Sequence, residues 1–381
     1  MKELILKTFS ITTLSMLTAA LPVSAAVVNW SSVDGSYDQG GAFTAGNSID
    51  GNLGTGWGGF SSDPGAGQNV PQTGVFIPAS AVSASQIHFL LQNRLGTNHY
   101  VQEFRLSTTT DASPTTGSAW TPVSPALLRS SNGTSIADIG GGYARVTGAA
   151  TGGIMDASLA ALGSFSGVTG FLLEMNPYDY DGADAIGATI GRAANGNFVF
   201  SEFSVTTDSD INWALNAGVG FYNASGAAIG PFGAAQAASN ITDGVLGAVA
   251  HPIGPANDGY YAQIDLGLEV SIDSIDITGR LDSDCCNDRL QDYTIEFYAA
   301  DGTTKVHDLF HAGVTKATEA LDIAASNGGT SPLAQFVRVV NTSQAAYGPQ
   351  ISELAVFGTI PEPSSLALLG LGLCGLLRRR R

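Results

Sequence analysis

Tyr261-Ala-Gln-Ile-Asp-Leu266 and, after a short Gly-containing break, Ile272-Asp-Ser-Ile-Asp-Ile277 decide the fold of the second half of the chain. Both are short β-rich runs of the kind that Gly, Asn, Asp and Ser clusters punctuate in sandwiches and jelly rolls. Tyr293-Thr-Ile-Glu-Phe-Tyr298 and Phe336-Val-Arg-Val-Val340 continue the series. The first half repeats the style in Gly74-Val-Phe-Ile77, Gln86-Ile-His-Phe-Leu-Leu91, Glu103-Phe-Arg-Leu-Ser107, Thr169-Gly-Phe-Leu-Leu-Glu-Met175 and Asn197-Phe-Val-Phe200. No strong amphipathic helix pattern interrupts residues 28–358. The stretch from Thr108 to Ala150 is rich in Gly, Ser and Thr and reads as loops inserted in the first half. The polar hinge Thr206-Thr-Asp-Ser-Asp210 divides 381 residues into two units, each long enough for a core of its own. The expectation is an all-β chain of two tandem jelly-roll β-sandwich domains, 27–207 and 208–359. A composition of 48 Gly and only 13% charged residues agrees with a turn-rich exported protein.

Both ends read as addresses. Met1-Lys2, an apolar run from Ile11 to Leu21 and Val23-Ser24-Ala25 form a secretory signal peptide over 1–26. At the other end, Pro361-Glu362-Pro363 precedes an apolar run from Leu366 to Leu377 and the basic cluster Arg378 to Arg381. That run is shorter than the roughly 20 residues needed to span a bilayer, so membrane association through it is expected to be transient. The order of motif, apolar stretch and basic end in 360–381 resembles the PEP-CTERM sorting signal of Gram-negative bacteria. The resemblance implies recognition by an exosortase, removal of the tail with Cys374, and delivery to the cell surface or extracellular matrix. Without both ends, ten basic and 31 acidic residues remain, a net charge of about −21. Such a surface repels nucleic acid and favours cations.

A repeat runs through the two halves. Asn47-Ser-Ile-Asp50-Gly-Asn52 is matched by Asn240-Ile-Thr-Asp243-Gly-Val245, and Ser201-Glu202-Phe-Ser-Val205 by Ser352-Glu353-Leu-Ala-Val356. An Asp-Gly turn with a distant Glu offers oxygen ligands suited to Ca²⁺; the alternative is that Asn and Asp serve only turn hydrogen bonds. Asn212-Trp-Ala-Leu-Asn216, Asp243-Gly, Ile264-Asp-Leu-Gly267, Arg338-Val-Val340 and Glu353-Leu-Ala-Val-Phe-Gly358 follow in an order that resembles discoidin, or coagulation factor 5/8 type C, domains, which are galactose-binding-like jelly rolls. The resemblance covers 211–358 and, more loosely, 28–206. It implies a structural Ca²⁺ held by Asn240, Asp243, Val245, Ser352 and Glu353, the Val and Ser through carbonyls. The first-half counterparts are Asn47, Asp50, Asn52 and Glu202.

Arg280-Leu-Asp-Ser-Asp284-Cys285-Cys286-Asn-Asp-Arg289 places adjacent cysteines between two arginines, with His251 upstream. If oxidised, such a pair forms a flat apolar plate, and an exported chain is where that bond persists. His251, Arg280 and Asp284-Cys-Cys-x-x-Arg289 resemble the F-type, fucose-binding lectins, although Arg280 lies two residues farther from Arg289 than in that pattern. The resemblance implies that His251 and both arginines hydrogen-bond sugar hydroxyls, that the cysteine plate lies against the carbon face, and that an aromatic meets the methyl of a 6-deoxy sugar. Alternatively, Arg280 pairs with Asp282 or Asp284, or His251 is an ordinary loop residue. Cys/His spacing for zinc is absent. The first half has Asn93-Arg94 and His99 but no cysteine. Neither a Gly-x-Ser-x-Gly elbow, a His-Glu-x-x-His pair nor a P-loop occurs, and Tyr178-Asp-Tyr-Asp-Gly-Ala-Asp184 reads as a loop or cation site. The expected function is therefore non-enzymatic binding of glycan or exopolysaccharide, with a structural or adhesive matrix protein as the alternative. An accessory part of a polysaccharide-degrading enzyme is a more distant one.

Overall fold

The computed structural model describes residues 27–61, 67–147, 153–179, 187–253, 259–281, 289–342 and 349–361. It is an all-β chain of antiparallel sheets. Among the described residues the α-helical content is one turn, Ile323–Ser326, and no helix is long and apolar enough to cross a membrane.

In the first half, a sheet centred on Gln72–Pro78, Gly170–Met175 and Glu103–Thr109 faces a four-stranded sheet ordered Glu202–Thr207, Val82–Asn93, Met155–Val168 and Leu127–Ser130. Strand residues alternate between faces, so Ile87, Phe89 and Leu91 turn inward together. They meet Phe76, Phe104, Phe171 and Phe203 in one core, against which Trp30 stacks. The region expected to be loops carries four short strands, Thr121–Pro122, Leu127–Ser130, Ile136–Asp138 and Tyr143–Val146. Cross-strand pairing, which local composition does not reveal, holds them: Leu128 pairs with Leu159 and Ala144 with Phe104.

The second core is organised by one long strand, Tyr261–Gly279. Its first part pairs with Gly218–Tyr222 and Leu333–Asn341, its last part with Thr318–Asp322 and Ile351–Thr359. The change of partner falls at a register break between Asp265 and Val270, where Gly267 adopts φ +70 and donates its N–H to Asp265 at 2.8 Å. Only glycine takes that backbone angle without strain. The break lets Ile264 and Leu266 on one side and Val270, Ile272, Ile275 and Ile277 on the other all face inward.

Arg129 joins the halves. From the first it donates Nη1 to the carbonyls of Trp213 (2.6 Å) and Leu215 (3.1 Å) and Nη2 to that of Leu266 (2.5 Å). Burial lowers its pKa to about 10, and Asp265 pulls it back upward.

Candidate functional site

Five backbone segments line up at one end of the second sandwich. Ala250 bridges to Ile351, and Ile351 pairs with Gly279 on its other side. The α-carbon of Gly279 lies against Thr315, whose carbonyl would be 2.0 Å from an added Cβ. Thr315 in turn donates its N–H to Leu290 at 2.9 Å. His251, Arg280 and Arg289 each stand one residue beyond this row, at the same end. Strands sit about 4.8 Å apart, so the backbones of His251 and Arg280 are separated by roughly 10 Å.

The packing around each group explains its position. His251 is buried, donates its backbone N–H to Gln236 and accepts from Phe232 through its carbonyl. Its ring stacks on Phe232, with centroids 4.9 Å apart and planes 27° apart, and Phe232 is 65% exposed. Arg280 donates to Oε1 of the buried Gln350 at 2.8 Å; Asp282 and Asp284, its alternative partners in the sequence, lie outside the described residues. Leu281, exposed beside it, is tied back by its N–H to Ser352 Oγ at 3.2 Å. Asp284, Cys285 and Cys286 lie outside the described residues. Phe232 and Gln350 escape a reading of the sequence because both reach the site from distant segments. An aromatic set between Gly230-Pro231 and Gly233 was the visible signal for the first.

The repeated turns share one geometry. In the second half, Asp243 accepts from the Val245 N–H (2.8 Å) and Glu353 from the Gly244 N–H (3.1 Å), with Gly244 at φ +75. In the first, Asp50 accepts from Asn52 (2.8 Å) and Glu202 from Gly51 (3.0 Å), with Gly51 at φ +73. Each turn thereby sets two carboxylates side by side. Burial, then the neighbouring Asp243, pushes Glu353 up to about 8; burial also raises Asp243. Glu202 is pushed up to about 7 by burial and then by Asp50, with the Gly51 hydrogen bond opposing.

The second turn fits a cation. Glu353 Oε1 is buried without a hydrogen-bond partner, and Asn240 spends its side-chain N–H groups on Ala235 and Val249, leaving its oxygen as the acceptor. Val245 and Ser352, whose carbonyls the sequence adds to the expected oxygen set, adjoin this pair, Val245 through its N–H on Asp243 and Ser352 as the neighbour of Glu353 in the chain. Among the described residues no three His, Cys, Asp or Glu side chains form a metal cluster, so neutral oxygens are needed beside the two acids. The first turn is more self-satisfied, since Asp50 also accepts from Thr55 and Asn52 from Gly54.

The first half diverges at the end that corresponds to the His251 row. There Phe200 pairs with Trp57 and Val199 with Gly58, so Gly58 stands where His251 follows Ala250. Arg94, at the register position of Arg280, is paired with the buried Asp156, and His99 turns its ring to the carbonyl of Thr97.

Residues 359–381 match the PEP-CTERM protein-sorting motif. The tail is a PEP-CTERM sorting signal. It marks the chain for export in Gram-negative bacteria. No curated protein matches the sequence. Among solved structures, the chain is similar to a Streptococcus pneumoniae fucose binding module, SpX-3, at 16% identity over 39% of this chain and 99% of that one, TM-score 0.32. It is also similar to the lectin domain of lectinolysin complexed with Lewis B antigen, at 18% identity over 39% and 98%, TM-score 0.31. A fucolectin from Morone saxatilis (striped bass) serum matches at 12% identity over 89% of this chain and 97% of that one, TM-score 0.31. Identities and scores this low leave the fold to stand on the sheets themselves.

Proposed function

We propose that this exported protein binds carbohydrate, without catalysis, at the His251 end of the second sandwich, and that its ligand is fucose or a similar 6-deoxy sugar. The observation carrying this reading is the row Ala250–Ile351–Gly279–Thr315–Leu290, which brings one imidazole and two guanidinium groups to a common edge. Arginine and imidazole N–H groups donate to sugar hydroxyls, and charge strengthens those bonds. Phe232, exposed and stacked on His251, supplies an apolar surface for a methyl group or a carbon face. Asp284, Cys285 and Cys286 join the same edge in this reading, with the cysteines as the plate under the ring. Ca²⁺ serves at the Asp243–Glu353 turn, and at Asp50–Glu202 in the first half, as a structural tie between distant chain segments, with no part in chemistry. Each polar contact contributes about 1–3 kcal/mol at most, so one site binds weakly and surface display of many copies supplies avidity. Exosortase removes the tail during sorting, and the mature chain resides at the cell surface or in the matrix.

A glycan array probed with wild type, His251→Ala, Arg289→Ala and Cys285→Ser tests this. Wild type is expected to select fucosylated glycans, and each variant to lose that signal while keeping its thermal transition. Equal binding of the same glycans by all four proteins rules the site out and favours the adhesive matrix reading.

A further inference from the structure

The sorting signal begins inside the fold. Thr359, its first matched residue, is the last of the Ile351–Thr359 strand and pairs with Ser271. The next residue, Ile360, still packs against the second core and is also caught by the first half. Its N–H donates to Gln86 Oε1 at 3.0 Å, and its carbonyl accepts from Gln86 Nε2 at 3.3 Å. A side-chain amide thus pairs with both the N–H and the C=O of one residue, along a single edge, as a neighbouring β-strand would. Gln86 is held rigidly for this task. It is 3% exposed, and Asp208 Oδ1 accepts from its N–H (3.2 Å) and from both the N–H and hydroxyl of Ser85 (2.9 Å each). Beside it, the Met155–Val168 strand breaks register between Leu162 and Phe165. The break opens a groove of about 340 Å³ whose walls include Leu162, Gly163, Ile360 and Pro361. Pro361, the first residue of the Pro-Glu-Pro signature, is therefore flush with the first sandwich, with no spacer between signature and fold.

We propose that Gln86 is a latch on the sorting signal: by occupying both the N–H and the C=O of Ile360, it slows tail removal until that residue is released. A peptidase that grips an extended substrate needs the substrate's own N–H and C=O groups for pairing. At residue 360 both are taken, so the enzyme must wait for the latch to open or compete with it. Processing then reports on the docking of the two halves, because the latch closes only when the second sandwich delivers Ile360 to the first. The inference rests on the export reading above.

The test follows loss of the tail by mass in pulse-labelled Gram-negative cells that carry an exosortase, using full-length wild type, Gln86→Ala, and a variant with Gly-Ser inserted between Thr359 and Ile360, which carries Ile360 away from Gln86. Two neutral hydrogen bonds of ordinary strength predict roughly a 5- to 150-fold faster removal in Gln86→Ala. The spacer variant, which leaves Gln86 untouched, should be accelerated similarly. Hydrogen exchange on the purified full-length chain should show a protected Ile360 amide that Gln86→Ala exposes. Equal removal rates despite lost protection overturn the latch, as does free exchange of Ile360 in wild type. If Gln86→Ala loses its cooperative thermal transition, the spacer variant decides, and wild-type processing there overturns the proposal. No tail removal in any variant overturns the export reading itself, and the latch with it.

Discussion

Removing divalent cations should make stability depend on pH in a direction set by Glu353. Its pKa stands at about 8 in the cation-free fold against 4.5 for the ordinary carboxyl. A carboxyl raised on folding binds its proton more tightly in the native state. Its contribution is therefore complete below pH 4.5 and is lost as pH climbs through about 8. The full gap corresponds to ~5 kcal/mol; allowing for solvent relaxation around a group at the turn, a loss of about 2–4 kcal/mol between pH 5 and 8 is expected. A bound cation favours the ionised carboxylate, so added Ca²⁺ should do little at pH 5 and restore most of the loss at pH 8. The assay is thermal or urea unfolding across that range in EDTA and in excess Ca²⁺, with Glu353→Gln as control. The variant should match chelated wild type at pH 5, show a flatter pH profile, and lose the Ca²⁺ response of its half. A Ca²⁺ response equal at pH 5 and pH 8, or one undiminished in Glu353→Gln, refutes the reasoning.

His88 adds an acid limb. Burial, and secondarily Arg129, hold it down to about 4 from 6.5, so its contribution is present above 6.5 and lost as pH falls through 4. That gap is worth ~3 kcal/mol, and His88→Gln should flatten the decline seen in urea unfolding between pH 6.5 and 4. Gly279→Ala addresses the site from beneath: its methyl would sit 2.0 Å from the Thr315 carbonyl, displacing that backbone at a cost of about 1–3 kcal/mol. Calorimetry should report the loss, and glycan binding should weaken because Arg280 and Arg289 hang from the displaced segments; unchanged binding would show that the row does not position them.

Much of the architecture was legible in the sequence. Runs such as Ile272–Ile277 and Gln86–Leu91 announce buried strands through their apolar residues. The paired Asp-Gly turns and closing Ser-Glu motifs, 193 residues apart at Asp50 and Asp243, announce duplication. What stayed hidden was set by distant partners. Leu127–Ser130 and Tyr143–Val146 are only four residues each and become strands by joining longer neighbours. Gln350 looks like any polar loop residue until Arg280 meets it. Arg94 resembles a ligand-binding arginine in sequence, and only the fold reveals Asp156 against it.

The anchoring of the saccharide edge separates grip from taste. His251, Arg280 and Arg289 depend on paired backbone that is continuous with the hydrophobic interior. In the proposed site, substitutions of the exposed Phe232 can retune which monosaccharide is preferred while the knuckles beneath keep their spacing. A library randomised only there would make this protein a scaffold for new glycan specificities, with the folding cost already met by the rest of the molecule.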